Sequence, residues 1–251
     1  MLLSAVLFDV DGTIAETEDL HRRSFNESFK EFNLDWFWDE AIYKELINVG
    51  SGEERIKHYI KRAWPEMLDY KNLSKYINSI HKVKNEIFED FILESAIQTR
   101  PGVLRLINEL KNHKIKMVIV SSTSRENLLT LFQRGLNINP IETFDLIAHG
   151  SCTKNKRPSP EIYEWVLDQL MLPSQSCVAI EDSPRGVESA RNANINIIVT
   201  PSIFTKGEAF EGAKLVVSDL GEEDKPFKVI KGKTYNNFCV NLELLTHIIK
   251  N

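Results

Sequence analysis

The stretch AVLFDVDGTIAET, residues Ala5 to Thr17, decides the fold. Its first four residues, Ala5-Val6-Leu7-Phe8, form a short unbroken apolar run, the pattern of a strand buried on both faces. Asp9 and Asp11 follow with one residue between them, and alternate residues of an extended chain face the same way, about 7 Å apart. Two carboxylates therefore leave the strand's C-terminal end toward one space, and Gly12 lets the backbone turn away sharply. In open α/β sheets ligands bind beyond that end of the strands. One carboxylate can attack an electrophile there, a second can protonate the leaving group and then activate water, and a nearby cation would keep the first ionised. A strand followed by an ordinary Asp-Gly turn accounts for the same residues, so the choice rests on the remainder of the chain.

Outward from this stretch the pattern becomes helical. Leu20, Phe25, Phe29 and Phe32 recur at helix spacing, Asp39 is placed as an N-cap, Pro65 stops a helix beginning near Glu53, and Asn72 to about Leu93 predicts a long helix. On that long helix the stripe Tyr76, Ile80, Val83, Ile87 and Phe91 is the expected apolar face. Trp36 and Trp38 are read as core of this region. After Arg100-Pro101-Gly102 strands and helices alternate. Strands are expected at Met117–Val120, 144–148, Cys177–Ile180, Ile195–Val199 and 214–217, with helices over 103–110, 127–134, 161–170 and 186–193. The tail from Lys225 is ambiguous, apart from a possible helix over 242–249.

Composition bounds the function. The 251 residues are 42% apolar and 27% charged with a net charge of −5, ordinary for a soluble globular protein and enough for a core without staples. No basic run points to nucleic acid, and no segment approaches the length of a membrane span. Cys152, Cys177 and Cys239 are odd in number and far apart, which argues against a disulfide framework and a Cys-x-x-Cys metal site. With no secretory signal seen, a cytoplasmic monomer is the expectation.

The expected strand ends collect polar residues: Asp9 and Asp11, then Ser121 and Ser122, then Glu181-Asp182-Ser183, with Lys156-Arg157-Pro158 in a connecting loop. Taken singly, the serines and the acids read as helix caps and the basic pair as a solvated loop. In one parallel sheet they share an edge, and that set suits phosphoryl transfer: Asp9 and Asp182 to hold Mg²⁺, Ser121 to grip phosphate, and a Lys or Arg to neutralise transition-state charge.

In this order the motifs Asp9-Val10-Asp11-Gly12-Thr13, Ser121, the basic residue before Pro158-Ser159-Pro160, and Glu181-Asp182-Ser183-Pro184-Arg185-Gly186 resemble those of the haloacid dehalogenase-like hydrolase superfamily. The inserted helices are similar to the cap of its β-phosphoglucomutase-like subgroup. Glu16 to Asn26 and Asp35 to Trp38 resemble CbbY-type phosphatases, which act on xylulose 1,5-bisphosphate. The resemblance implies an α/β fold: a Rossmann-like parallel-sheet core, residues 1–16 plus 96–251, with helices on both faces and a small α-helical cap, residues 17–95, inserted. It implies Asp9 as nucleophile, Asp11 as acid/base, and Mg²⁺ on Asp9, Asp11 and Asp182 with Glu181 close by. The expected function is Mg²⁺-dependent hydrolysis of a small sugar phosphate, with phosphate bound by Ser121 and Ser122. A mutase and a binding protein on the same scaffold are the alternatives. Thr13 resembles the phosphatases more than the mutases. The family's lysine before Pro-x-Pro is Arg157 here, so either Arg157 takes the role, the preferred reading, or the loop presents Lys156. Glu16, His21, Lys84 and Arg55 are the expected substrate contacts. Lys84 is marked by the apolar face it interrupts, and Arg55 has a surface ion pair as its alternative. Glu53 stands where relatives often carry a cation, which weighs against a bisphosphate.

Overall fold

The computed structural model describes residues 2–250. β1 (Ala5–Phe8) has no accessible side chain. Its chain then enters a helical excursion. One compact unit comprises the residues up to Glu16 and from Ile97 onward, and the other is Thr17–Ala96.

The helical unit contains α1 (Glu18–Glu31), α2 (Glu40–Leu46), α3 (Gly52–Ala63) and α4 (Leu73–Glu94). Asp39 caps α2 by accepting from the Ile42 N–H, and Ser51 with Glu54 closes a capping box on α3. α1 packs on α4. Phe25, Phe29, Trp36, Trp38 and Tyr43 fill the interior. The Trp38 ring centroid lies 4.6 Å from Phe25 and 4.9 Å from Phe29, contacts that add about 0.5–1.5 kcal/mol per pair to simple burial. Asn26 fixes the Trp38 backbone, donating to its carbonyl at 2.9 Å and accepting from its N–H at 2.7 Å.

The face of α4 differs from expectation. Ile77, Ile80, Lys84, Phe88 and Ile92 are buried, whereas Tyr76, Val83, Ile87 and Phe91 are half-buried. Both series have helix spacing, and a lysine makes the true one look the more polar. Lys84 is accommodated because its Nζ lies 2.7 Å from His21 Nδ1 and over the rings of Phe25 and Phe88, at 5.2 and 4.7 Å.

The chain returns through α5 (Val103–Asn112), β2 (Lys116–Val120), α6 (Arg125–Thr130), α7 (Pro140–Thr143), β3 (Leu146–Ala148) and α8 (Glu161–Leu170). It continues through β4 (Cys177–Glu181), α9 (Pro184–Asn192), β5 (Asn196–Val199), β6 (Leu215–Val217), β7 (Val229–Gly232) and α10 (Leu242–Lys250). The sheet order is β3-β2-β1-β4-β5-β6-β7, parallel except for β7 against β6. β7 is an unforeseen strand. Its four residues are all exposed, so no burial stamps an alternating pattern on them.

Ala5, Leu7, Val118, Val120 and Ala179 cover one face of the sheet together with Tyr163, Val166, Val187 and Ala190 of α8 and α9. α5 and α10 cover the other, packing on β2 and β4. β1 pairs with β2 on one side and β4 on the other, with Phe8 opposite both Ile119 and Ile180. Asp9, Val120 and Glu181 therefore arrive at the same level, where the strand order reverses and a crevice is expected. Among the described residues no helix is long and apolar enough to cross a membrane.

Candidate active site

The shared register delivers the acids. Asp9 leaves β1 with its N–H donating to the Ile180 carbonyl at 3.0 Å, and its side chain is buried. One carboxylate oxygen each from Asp9, Glu181 and Asp182 lies within 4.8 Å of the others. Asp9 Oδ2 and Glu181 Oε2 are buried without a hydrogen-bond partner. Orphaned carboxylate oxygens in a cluster are costly unless a cation meets them, and an all-oxygen donor set suits a hard divalent ion.

Arg157 closes one side of the cluster. Its Nη1 donates to Asp9 Oδ1 at 2.6 Å and its Nη2 to the Val120 carbonyl at 2.8 Å, and Nη2 lies 3.3 Å from Glu181 Oε1. Burial pushes the Asp9 carboxyl up, Arg157 opposes it, and the Asp11 charge adds to the rise. Burial likewise lifts Glu181, to about 8, against the pull of Arg157. Desolvation would lower Arg157, but Glu181 and Asp9 outweigh it and hold the guanidinium charged. Lys156, the alternative cation, donates instead to the carbonyls of Gly150 and Thr153, the latter at 2.8 Å, and so braces its own loop. Arg157 is the one in contact with Asp9 because its longer planar fork reaches two carboxylates and a carbonyl together.

Asp11 accepts from Thr123 Oγ1 at 3.0 Å. Gly12 has φ +85°, and a side chain there would collide with Asp182. Gly186 is needed for a similar reason, since a Cβ would strike the Glu181 carboxylate. Ser121, Ser122, Glu181 and Asp182 are not the caps: Ser124 caps α6 and Ser183 caps α9. Ser121 is buried, with its Oγ accepting from the Thr123 N–H at 3.1 Å, and Ser122 is exposed. The sheet unit thus brings Asp9, Glu181 and Asp182 around one space, with Arg157 in contact with the first two and with Asp11 and Ser121 both tied to Thr123.

The other expected residues have local partners. Glu16 lies 3.3 Å from Arg100 Nε and accepts from the Ile203 N–H at 3.4 Å. In the helical unit Arg55 donates to Tyr43 Oη at 3.0 Å and lies 3.9 Å from Glu18, an internal network and not a surface pair. His21 stacks on Phe88 with centroids 3.8 Å apart. Glu53 lies 2.8 Å from His81 Nδ1, and chiefly through that hydrogen bond its carboxyl is held at about 2.

Sequence reading passed over Thr123, Tyr163 and Thr205. Tyr163 donates to Glu181 Oε1, and Thr205 Oγ1 donates to the Asp182 carbonyl at 2.7 Å. Thr123 stood inside the polar run after β2 and was open to detection, whereas nothing local distinguishes a tyrosine in an amphipathic helix.

A family model described as haloacid dehalogenase-like hydrolase matches residues 6–200. Protein CbbY of Cereibacter sphaeroides is 39% identical over 88% of this chain and 94% of its own length. A CBBY-like protein of Arabidopsis thaliana is 34% identical over 88% of this chain and 70% of its own. The crystal structure of an Asp-to-Asn variant of CbbY from Rhodobacter sphaeroides, in complex with xylulose 1,5-bisphosphate, superposes with a TM-score of 0.81 at 38% identity. It covers 87% of this chain and 95% of that one.

Proposed function

Because this chain belongs to the haloacid dehalogenase-like hydrolase family and is a hydrolase of phosphoric monoesters, we propose that it is a Mg²⁺-dependent phosphatase of a small phosphorylated sugar, with xylulose 1,5-bisphosphate the foremost candidate. The observation that carries this reading is the meeting of Asp9, Glu181 and Asp182, with two orphaned oxygens, at the strand end that also bears Asp11. Asp9, Asp182 and Glu181 would hold the ion, together with the Asp11 main chain. When bound, Mg²⁺ supplies positive charge for the phosphoryl oxygens and favours ionised Asp9.

In this reading an Asp9 oxygen attacks phosphorus as the bond to the sugar oxygen breaks, and Asp11 gives that oxygen its proton. Ionised Asp11 then takes a proton from water. The water oxygen attacks phosphorus, the bond to Asp9 breaks, and phosphate departs with Asp9 restored. Arg157 meets the charge on the phosphoryl oxygens, and Ser121, with Ser122 beside it, donates to them. His21 and Lys84 are the helical unit's proposed sugar-phosphate contacts. His81 beside Glu53 supports a bisphosphate, because that carboxylate already has a partner.

Phosphate release from a panel of sugar phosphates, including pentulose bisphosphates, tests this. Mg²⁺-dependent release is expected for the wild type, with a loss on the order of 10⁴ or more in Asp9→Asn, as for removal of other nucleophiles. Interconversion of isomers without free phosphate would assign a mutase instead. No turnover of any ester, with the fold intact, would leave a binding protein.

A further inference from the structure

Arg100 takes no part in the chemistry above, yet its side chain is only 9% exposed and has a partner on every side. Nη1 donates to the carbonyls of Gly12 and Thr200, the latter at 2.7 Å, and reaches Thr200 Oγ1 at 3.2 Å. Nη2 donates to the carbonyls of Pro201 at 2.9 Å and Ser218 at 3.1 Å. One guanidinium therefore joins the loops that follow β1, β5 and β6. Only arginine offers five donors in a rigid planar fork, and an ammonium cannot satisfy these acceptors together.

Each end of the clamp leads to a carboxylate. Gly12 directly follows Asp11, and its missing side chain lets Asp182 approach. Pro201 leads into Ser202, whose N–H donates to Thr205 Oγ1 at 2.9 Å, and that hydroxyl donates to the Asp182 carbonyl. Glu16, expected to line the cleft, is the counter-charge of Arg100 and accepts from Ile203 in the same loop. We propose that Arg100 is a positioning residue for the metal-binding carboxylates. It clamps the segment bearing Asp9, Asp11 and Gly12 to the turn, residues 200–205, that supports Asp182. The inference rests on the Mg²⁺ reading of the site.

The test is a calorimetric titration of Mg²⁺ alone into wild type, Arg100→Lys, Thr205→Val and the double variant, each checked for fold by circular dichroism. Arg100→Lys keeps the charge and most of the packing, and Thr205→Val breaks the far end of the same linkage with a near-isosteric change. Each single variant is expected to weaken Mg²⁺ binding about 10- to 100-fold, the range for partners that orient metal ligands. The double variant is expected to lose little more than the weaker single, because both cut one linkage. With a phosphomonoester, saturating Mg²⁺ is expected to return kcat toward wild type. Folded Arg100→Lys with wild-type Mg²⁺ affinity, or fully additive losses, would overturn the clamp. A wild type that takes up no Mg²⁺ would overturn the metal reading itself.

Discussion

The two units bury their polar groups in different ways. In the sheet unit buried charge is concentrated at the end of β1 and β4, where Arg157 spans Asp9 and Glu181 and Arg100 spans three loops. In the helical unit the buried cation Lys84 rests among rings and against one imidazole, and aromatic packing dominates. A site of clustered acids is electrostatically strained until something cationic joins it. An aromatic core is held by shape and area, with little dependence on charge. Removing a cation should therefore injure the first unit and removing a ring the second.

The largest effect is expected from Arg157→Met. It leaves Asp9 and Glu181 buried together without their cation, and breaking such a set costs about 3–5 kcal/mol. Urea unfolding of the metal-free protein reads this, with phosphatase activity lost in parallel. A cost near zero would mean that the acids are held apart by packing alone. Trp38→Ala is expected to cost a comparable or slightly smaller amount, about 3–5 kcal/mol as for other buried aromatics, but within the helical unit. Hydrogen exchange should quicken in α1 and α4 and stay unchanged in β1 and β4. Equal quickening everywhere would erase the contrast between the units.

The smallest effect concerns pH. The Glu53 carboxyl is lowered from 4.5 to about 2, first by the hydrogen bond to His81. A depressed acid stabilises the fold above its unfolded value, and that contribution fades as pH falls from 4.5 toward 2. The Glu53 side chain is 40% exposed, so solvent screening holds the contribution below about 1 kcal/mol. Urea midpoints of wild type and Glu53→Gln should differ near neutrality and converge in acid. A gap that widens in acid would contradict the pairing.

Much of the fold was legible because parallel strands buried on both faces write themselves as unbroken apolar runs. Ala5–Phe8 and Cys177–Ile180 are such runs, and their polar exits named the acids. β7 was not legible because an exposed edge strand has no buried side to encode. The face of α4 was misread by one position because Lys84, with its charge met by His21 and two rings, belongs to the buried stripe. Helix periodicity cannot anticipate a partner 63 residues away.

The amino-acid order alone determined that carboxylates, serines and a basic loop would meet at the C-terminal edge of one sheet, because strand direction and side-chain alternation are local properties. It left open which serine caps a helix and which basic residue reaches Asp9. Those were decided in three dimensions. Ser124 and Ser183 take the caps, Lys156 is held by the carbonyls of its own loop, and Arg157 extends to Asp9. Such choices depend on distances between segments far apart in the chain, and only the folded backbone sets those distances.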